Sequence, residues 1–329
     1  MPFFITVIGA SAGGQEAICK LIASLPRDVN AAFFIVMHIS RHGLESILVN
    51  RLQKCTTLHC ASAVDAQAIE PGHIYIAPAD HHLIVTAGAM HLRKGPSENR
   101  WRPSIDVLFR SAAVHYSERA IGIVLTGLLD DGTSCMKAIK KCGGTCMVQN
   151  PAEAAYPDMP QSVLDNSVVD HILGVTAMGQ AIQKTIAEKK LTGVEVPYEL
   201  KAETRLMENS ITNIDEISKL GNHSVYTCPD CGGGLWEIKE ADQTRYRCHI
   251  GHAFSQNDLL KKQFEALNGT LWVALRMMEE RKNLLVKITR QDESRNMHTL
   301  AEMHADQARE LETHINNLKE LLFNIAPEN

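Results

Sequence analysis

A serine between glycines near the N-terminus is the first candidate for chemistry in this chain. Ser11 lies in the run GASAGG over residues 9–14, between a predicted buried strand over 3–8 and a predicted helix over 15–25. The run matches G-x-S-x-G, the pattern of a strand-to-helix turn that exposes a nucleophilic hydroxyl. The helix would direct free backbone N–H groups at the same point and stabilise negative charge there. A glycine-rich phosphate loop and a structural turn are the alternatives, although neither G-x-G-x-x-G nor G-K-[ST] is present.

A nucleophilic serine needs a base, and the base needs an orienting acid. His38 ends the apolar run AFFIVM over 32–37, and Asp130 and Asp131 follow the apolar run AIGIVL over 120–125. In open parallel sheets, ligands bind outside the carboxyl ends of the strands, so three such tips would bring these side chains together. Taken singly, a strand-end histidine bound to the backbone and a helix-capping aspartate pair are the plainer interpretations.

Seven stretches occur in an order and at spacings that are typical of one protein family. They are VIGASAGG (7–14), FIVMHIS (34–40), GHIYIAPADHHL (72–83), RPSIDVLFRSAA (102–113), VLTGLLDDGT (124–133), GG with VQNP (143–144 and 148–151) and AAYPDMP (154–160). Over residues 4–187 the chain therefore resembles the catalytic domain of the chemotaxis protein-glutamate methylesterases. The resemblance implies an α/β fold with a doubly wound, mostly parallel, Rossmann-like sheet.

The resemblance also implies roles for the candidate residues. Ser11 would be the nucleophile, His38 the base and Asp131 the orienting acid, with no cofactor for catalysis. The backbone N–H groups of Ala12 and Leu128 would form the oxyanion hole. The expected reaction is demethylation of glutamate methyl esters on chemoreceptors, with deamidation of glutamines by the same acyl-enzyme route.

Two departures from the family pattern bear on function. Leu128-Leu129 stands where many relatives have Met-Gly, which would reshape the oxyanion loop. Ser11 lies too near Met1 for a phosphorylation-receiver domain to precede it, so we expect no control by phosphorylation in cis. These departures keep open a non-catalytic scaffold that binds receptors or a methyltransferase, and an esterase for small metabolites is a third hypothesis.

Composition limits the remaining classes. The chain has 329 residues, a net charge of −5 and a pI near 6.3, which gives no electrostatic basis for nucleic-acid binding. No apolar run approaches the ~18 residues of a membrane span, and no signal peptide is recognisable. Nine cysteines without disulfide-framework spacing indicate reduced thiols, so we expect a cytoplasmic protein without membrane insertion.

A second cluster of chemically active residues follows the methylesterase-like region. Cys228 and Cys231 form a C-x₂-C-G turn, and sixteen residues later come Cys248, His249 and His252. Three thiolates and one imidazole are the ligands of a closed, tetrahedral, structural zinc site. We favour His252 as the fourth ligand, with His249 as the alternative, and acidic flanks disfavour a nucleic-acid-binding finger.

These features divide the chain into four predicted parts. They are a catalytic domain over 1–190, a linker over 191–224 with a short helix around 203–220, a zinc ribbon over 225–254, and a helical hairpin or coiled coil over 255–329. Because the linker is polar, we expect the C-terminal part to act through tethering and not by completing the active site.

The last part has a helical pattern of apolar residues. Ser255 and Asp258 form a predicted capping box, and a polar break over 289–296 is expected to turn the chain. Its second helix carries a short heptad seam of Leu311, Ile315, Leu318, Leu322 and Ile325. The seam indicates either a hairpin that packs on itself or on the ribbon, or a surface for a homodimer or another partner.

Overall fold

A seven-stranded parallel sheet forms the centre of the fold. The computed structural model describes residues 3–38, 45–209, 214–240 and 243–324. The strands are ordered β3-β5-β2-β1-β8-β9-β10, with bounds β1 Phe4–Ala10, β2 Ala31–Met37, β3 His59–Ser62, β5 His73–Ile76, β8 Ala120–Val124, β9 Thr145–Gln149 and β10 His171–Leu173. The order reverses beside β1, which confirms the doubly wound, parallel α/β architecture predicted from the sequence.

Two small antiparallel sheets accompany the central one. The first consists of β4 Gln67–Ala68, β6 His82–Thr86 and β7 Ala89–Arg93. The second, which we call the ribbon, consists of β11 Asn222–Thr227, β12 Gly234–Glu240, β13 Gln243–Cys248 and β14 Ala253–Ser255. Strands β12 and β13 pair antiparallel, from Leu235 opposite Cys248 to Glu240 opposite Gln243.

Ten α-helices lie in the described part of the chain. Their bounds are α1 Gly14–Ala23, α2 Glu45–Gln53, α3 Ile105–Tyr116, α4 Thr133–Lys141, α5 Asp158–Asn166, α6 Met178–Glu188, α7 Tyr198–Asn209, α8 Ile214–Leu220, α9 Gln256–Ser294 and α10 His298–Asn324. None of these helices has the length and hydropathy of a membrane span.

Strand β1 shows how the sequence builds the core. All seven of its residues are buried, as expected for a strand covered on both faces. Successive side chains point to opposite faces, so Ile5 and Val7 join the apolar cluster under α3 and α4. Phe4 and Ile8 join the cluster under α1 and α6. This packing fixes β1, and with it the turn that follows at Ser11.

The compact units differ from the predicted domains. Residues 1–258 form one unit and residues 259–329 form the other, so the boundary predicted at 190 divides a single unit. The predicted linker over 191–224 contains α7, α8 and the start of β11, and 210–213 lie outside the described residues. Leu200, Leu206 and Met207 of α7 are buried, because this polar-looking segment presents one apolar face to the fold.

The second unit is a pair of long helices. Helix α9 ends at Ser294 and α10 begins at His298. The turn therefore includes only the last two residues of the polar break predicted over 289–296, and α9 continues through the rest. Leu275, Ile315 and Leu322 form its buried core, with Leu271, Met278, Leu311 and Leu318 packed against them. The heptad seam therefore packs within the hairpin, and Ile325 lies outside the described residues.

Candidate active site

Ser11 lies at the tip of β1, between the ends of two neighbouring strands. Its backbone N–H donates to the Thr126 carbonyl at 3.0 Å, beyond β8. On the other side, the His38 N–H donates to the Ala10 carbonyl at 3.1 Å, beyond β2. Gly13, at φ 73°, caps α1 in a conformation that favours glycine, so the chain turns sharply from strand to helix around the serine.

The imidazole of His38 contacts the carboxylate of Asp131. His38 Nε2 lies 2.9 Å from Asp131 Oδ2, and both side chains are almost completely buried. The other ring nitrogen, Nδ1, is buried and has no hydrogen-bond partner within the described residues. The structure therefore brings together the predicted base and acid, and it leaves Nδ1 as the nitrogen available to a nucleophile.

The N-terminus of α3 holds the Asp131 carboxylate in place. The Ser104 hydroxyl and the Asp106 N–H donate to Oδ1 at 3.0 and 3.3 Å, and the Ile105 N–H donates to Oδ2 at 2.7 Å. The helix N-terminus also favours a negative charge at this point. Asp131 is thus a fixed carboxylate that can orient His38. The backbone carbonyl of its neighbour Asp130 accepts a hydrogen bond from the Thr133 N–H at 3.1 Å. Burial, followed by repulsion from Asp130, raises the pKa of Asp258.

Sequence reasoning missed the contribution of residues 97–101, which we call the clamp segment. Asn99 Nδ2 donates to Asp131 Oδ1 at 3.0 Å and to Asp106 Oδ2 at 2.7 Å, so it bridges two buried carboxyl groups. The indole of Trp101 stacks on the His38 ring, with centroids 4.1 Å apart. The only sequence signal was proximity to the family-like stretch RPSIDVLFRSAA, which begins at residue 102.

The carboxyl group of Asp106, which lies beside Asp131, has a raised pKa. Burial, followed by repulsion from Asp131, raises the pKa of Asp106 to about 8. The Cys135 N–H donates to its Oδ1 at 2.9 Å. Asp106 therefore stays protonated at neutral pH, and its backbone N–H donates to Asp131 Oδ1.

The predicted oxyanion groups lie on the two loops that flank Ser11. The Gly127 N–H is used by the Tyr156 carbonyl at 3.0 Å, whereas the Ala12 and Leu128 N–H groups have no partner in the described part of the chain. A Cβ on Gly127 would lie 2.8 Å from the Ser11 Cβ and 2.1 Å from Met159 Sδ, so the loop can approach the serine only with glycine there.

Leu129 has a left-handed backbone with φ 69°. Such a conformation strains a residue with a side chain and is easy for glycine. The left-handed backbone would therefore suit the glycine that the family pattern predicts at this position. In this chain a leucine takes that conformation.

The second predicted cluster is also assembled. The ligand atoms of Cys228, Cys231, Cys248 and His252 lie within 4.8 Å of one another. The Sγ atoms of Cys231 and Cys248 are 3.8 Å apart, and Cys248 Sγ is 3.5 Å from His252 Nδ1. Tetrahedral zinc with its usual Zn–S bonds separates sulfurs by about 3.8 Å, so the spacing fits a zinc ion. The alternative ligand, His249, packs edge-on against Trp236 and is not part of the cluster.

The comparisons with known proteins cover the sheet and the Ser11 site. The profile of the CheB methylesterase family matches residues 6–182, more than half of the chain. The chain belongs to the CheB methylesterase family. A crystal structure of the CheB methylesterase catalytic domain of Thermotoga maritima superposes with a TM-score of 0.54 and 30% identity, over 56% of this chain and 99% of that one.

Curated CheB relatives match over the same region. The protein-glutamate methylesterase/protein-glutamine glutaminase 2 of Methanosarcina mazei is 34% identical over 190 residues, which are 55% of this chain and 52% of the relative. The protein-glutamate methylesterase/protein-glutamine glutaminase of Shigella flexneri is 34% identical over 187 residues, which are 56% and 53%. The chain thus spans about half the length of the curated CheB relatives that it matches.

Proposed function

We propose that this protein is a serine hydrolase that removes methyl groups from glutamate methyl esters of chemoreceptors. The observation that carries the proposal is the buried 2.9 Å contact between His38 and Asp131 beside the tip that holds Ser11. A base and its orienting acid at the end of a strand next to a serine are the parts of an acyl-transfer site. The family membership and the names of the relatives support the ester of a glutamate side chain as substrate.

The first half of the reaction forms an acyl-enzyme. Ser11 Oγ attacks the ester carbonyl carbon, and His38 Nδ1 takes the hydroxyl proton. The tetrahedral oxyanion accepts hydrogen bonds from the Ala12 and Leu128 N–H groups. When the intermediate collapses, the bond to the methoxy oxygen breaks, and methanol leaves with the proton from His38.

The second half regenerates the serine. Water attacks the glutamyl ester of Ser11 while His38 takes a proton from it, and collapse returns that proton to Ser11 Oγ. The products are a glutamate carboxylate and free enzyme. A glutamine amide passes through the same acyl-enzyme with ammonia as leaving group, so deamidation belongs to the same proposal.

The proposed partners follow from the substrate. The first are methyl-accepting chemoreceptors. The second is a chemotaxis methyltransferase, the enzyme that makes the esters. A reducing, cytoplasmic location suits both the free thiols and this substrate. The exposed apolar side chains of the second unit, among them Trp272 and Phe323, support its use as a homodimer or docking surface.

We also propose one structural zinc ion at Cys228, Cys231, Cys248 and His252. Four protein ligands fill a tetrahedral site, so this zinc would have no position for substrate or water. Its role would be to fix the two turns of the ribbon. Elemental analysis of anaerobically purified protein tests it: one zinc per chain is expected, and protein without zinc would remove the site.

Methanol release from a methylated receptor is the test of the esterase proposal. We expect wild-type protein to release methanol and Ser11→Ala to lose at least about 10⁴-fold in rate, because no other group on the acyl path replaces the hydroxyl. Thr133→Ser is a matched control, since it alters a hydroxyl side chain near the site without touching the proposed path. If Ser11→Ala kept more than a tenth of the rate, the assignment of the nucleophile would be wrong.

The competing function is a non-catalytic scaffold that binds receptors. It is favoured by the unpartnered Nδ1 of His38, which does not engage Ser11 in this structure. In free enzymes, however, catalytic hydrogen bonds are often long and tighten only with substrate. A receptor that binds tightly but releases no methanol would favour the scaffold, and hydrolysis of small esters alone would favour a metabolite esterase.

A further inference from the structure

The clamp segment connects both the base and the acid of the candidate triad to the ribbon. Asn99 binds Asp131, and Trp101 covers His38. Asn99 and Arg100 have left-handed backbones, with φ 50° and 70°. Two consecutive residues in this region are strained, so the segment keeps its shape only because neighbouring groups hold it.

The ribbon restrains the clamp segment through backbone hydrogen bonds. The Asn99 N–H donates to the Ala253 carbonyl at 2.9 Å, and the Ala253 N–H donates to the Ser97 carbonyl at 3.4 Å. Strand β14 thus pairs with the clamp segment as a further strand would. Because Ala253 directly follows His252, this pairing begins next to a proposed metal ligand.

A buried network of charged side chains also restrains the clamp segment. Glu98 is fully buried and forms a two-pronged ion pair with Arg110 of α3, at 2.8 and 2.9 Å. Arg247 of β13 donates to Glu98 at 2.7 Å and to Glu203 of α7 at 3.0 Å. Burial alone would raise the pKa of Glu98, but Arg110 and Arg247 hold it well below its usual range, so the carboxylate is charged.

The backbone pairing and the ion-pair network both involve the same turn of the ribbon. Arg247 precedes Cys248, and Ala253 follows His252, so the two contacts flank the proposed metal ligands at either end. The Cys248 N–H donates to the His252 carbonyl at 2.9 Å and closes the turn. A metal ion bound by Cys248 and His252 would therefore fix the distance between the two contacts.

We infer that the ribbon supports catalysis at the esterase site. Arg247 and Glu98 are positioning residues that hold the clamp segment against His38 and Asp131. Metal binding at the Cys/His cluster is coupled to the reactivity of Ser11. The inference rests on the proposed function. It replaces the expectation that residues after 190 act only by tethering. Removing one partner of a buried ion pair leaves the other charge unpaired and shifts the groups around it. That shift reaches the triad through Asn99 and Trp101.

The test compares full-length Glu98→Gln and Arg247→Lys with Glu118→Gln. Glu98→Gln keeps the size of the side chain, and Arg247→Lys keeps the charge but lacks the planar fork that bridges two carboxylates. Glu118 is a matched control, because its buried carboxylate accepts N–H bonds from Thr192 and Gly193 and does not contact the clamp segment.

Two readouts report on the triad without any receptor. The first is the rate at which a fluorophosphonate probe labels Ser11, which needs His38 as base. The second is the proton NMR shift of His38, assigned by its loss in His38→Gln, since the stacked Trp101 indole displaces that signal. We expect about tenfold slower labelling and a moved His38 signal in both test variants, with wild-type values for Glu118→Gln. Folded test variants that match Glu118→Gln in both readouts would overturn the inference.

A metal arm covers the case in which the ion-pair variants fail to fold. Cys231→Ser removes the exposed ligand, and zinc content is measured beside labelling. Loss of zinc with slower labelling supports the coupling, whereas loss of zinc with wild-type labelling contradicts it. Failure of the proposed function looks different: Ser11 is labelled and responds to Glu98→Gln, but methylated receptor releases no methanol.

Discussion

The indole of Trp101 lies flat on the imidazole of His38, with 7° between the two ring planes. A large aromatic surface on one face of a base restricts its rotation and keeps water from it. The ring edge is fixed separately by the contact of Nε2 with Asp131. Together these two contacts leave Nδ1 directed away from both partners.

Removing the indole tests its role directly. We expect Trp101→Ala to lower kcat on a small methyl ester by about tenfold or more, because small displacements of a catalytic group are costly. Trp101→His keeps a flat ring and should stay much closer to wild type. Steady-state kinetics measure both, and equal losses in the two variants would show that stacking is not what matters.

The adjacent aspartates separate orientation from simple charge. Asp131→Asn should lower kcat by about 10⁴-fold, because the amide cannot replace the carboxylate that orients and stabilises the imidazole. Asp130→Asn, one residue away, should stay within a few-fold of wild type, since the carboxylate that pairs with His38 is that of Asp131. Ester hydrolysis by both variants, with circular dichroism to check folding, gives the comparison; similar losses at the two positions would refute the choice of Asp131.

Leu129 predicts a stability gain on substitution. Leu129→Gly should raise the free energy of unfolding by about 1 kcal/mol, because glycine relieves the left-handed backbone. Leu128→Gly should lower it, since Leu128 has no such strain and glycine adds only flexibility to the unfolded chain. Urea unfolding measures both changes. A loss of stability in Leu129→Gly equal to that in Leu128→Gly would mean that the strain is negligible.

Asp106 predicts a pH dependence of stability. Its folded pKa of about 8 lies above the usual value of 3.8, so the folded protein keeps a proton that the unfolded chain releases. The stability that this proton contributes is fully present below pH 3.8 and is lost as the pH rises toward about 8. The loss is at most about 1.4 kcal/mol per pH unit. Asp106→Asn should lack this slope, and Asp28→Asn at an exposed site should keep it. Urea unfolding near pH 5 and pH 8 decides; parallel curves for wild type and Asp106→Asn would contradict the raised pKa.

Local patterns predicted the strand tips and the Cys/His cluster because each rests on a short run of residues. Ser11, His38 and Asp131 each follow a buried strand, and parallel strands bring their ends together regardless of their separation in sequence. The role of Asn99 was not predictable in this way. It depends on Glu98 pairing with Arg247, 149 residues further on, and no local periodicity encodes that contact.

The segment after residue 190 was misjudged for a related reason. Its composition is polar, which favours a linker, yet Glu203 and Thr204 of α7 are buried along with its apolar residues. The charge of Glu203 is compensated by arginines of the ribbon that the local sequence does not show. Buried ion pairs make such a segment look like a solvated one.

The fate of the ester oxygen tests the central claim most directly. Methylated receptor is incubated with the protein in water enriched in the heavy oxygen isotope, and the receptor peptides are analysed by mass spectrometry. The account predicts that each demethylated glutamate gains one heavy oxygen, because water attacks the acyl carbon of the Ser11 ester, and that Ser11→Ala yields no such peptide. Demethylation without the heavy oxygen, or with equal yield in Ser11→Ala, would contradict it.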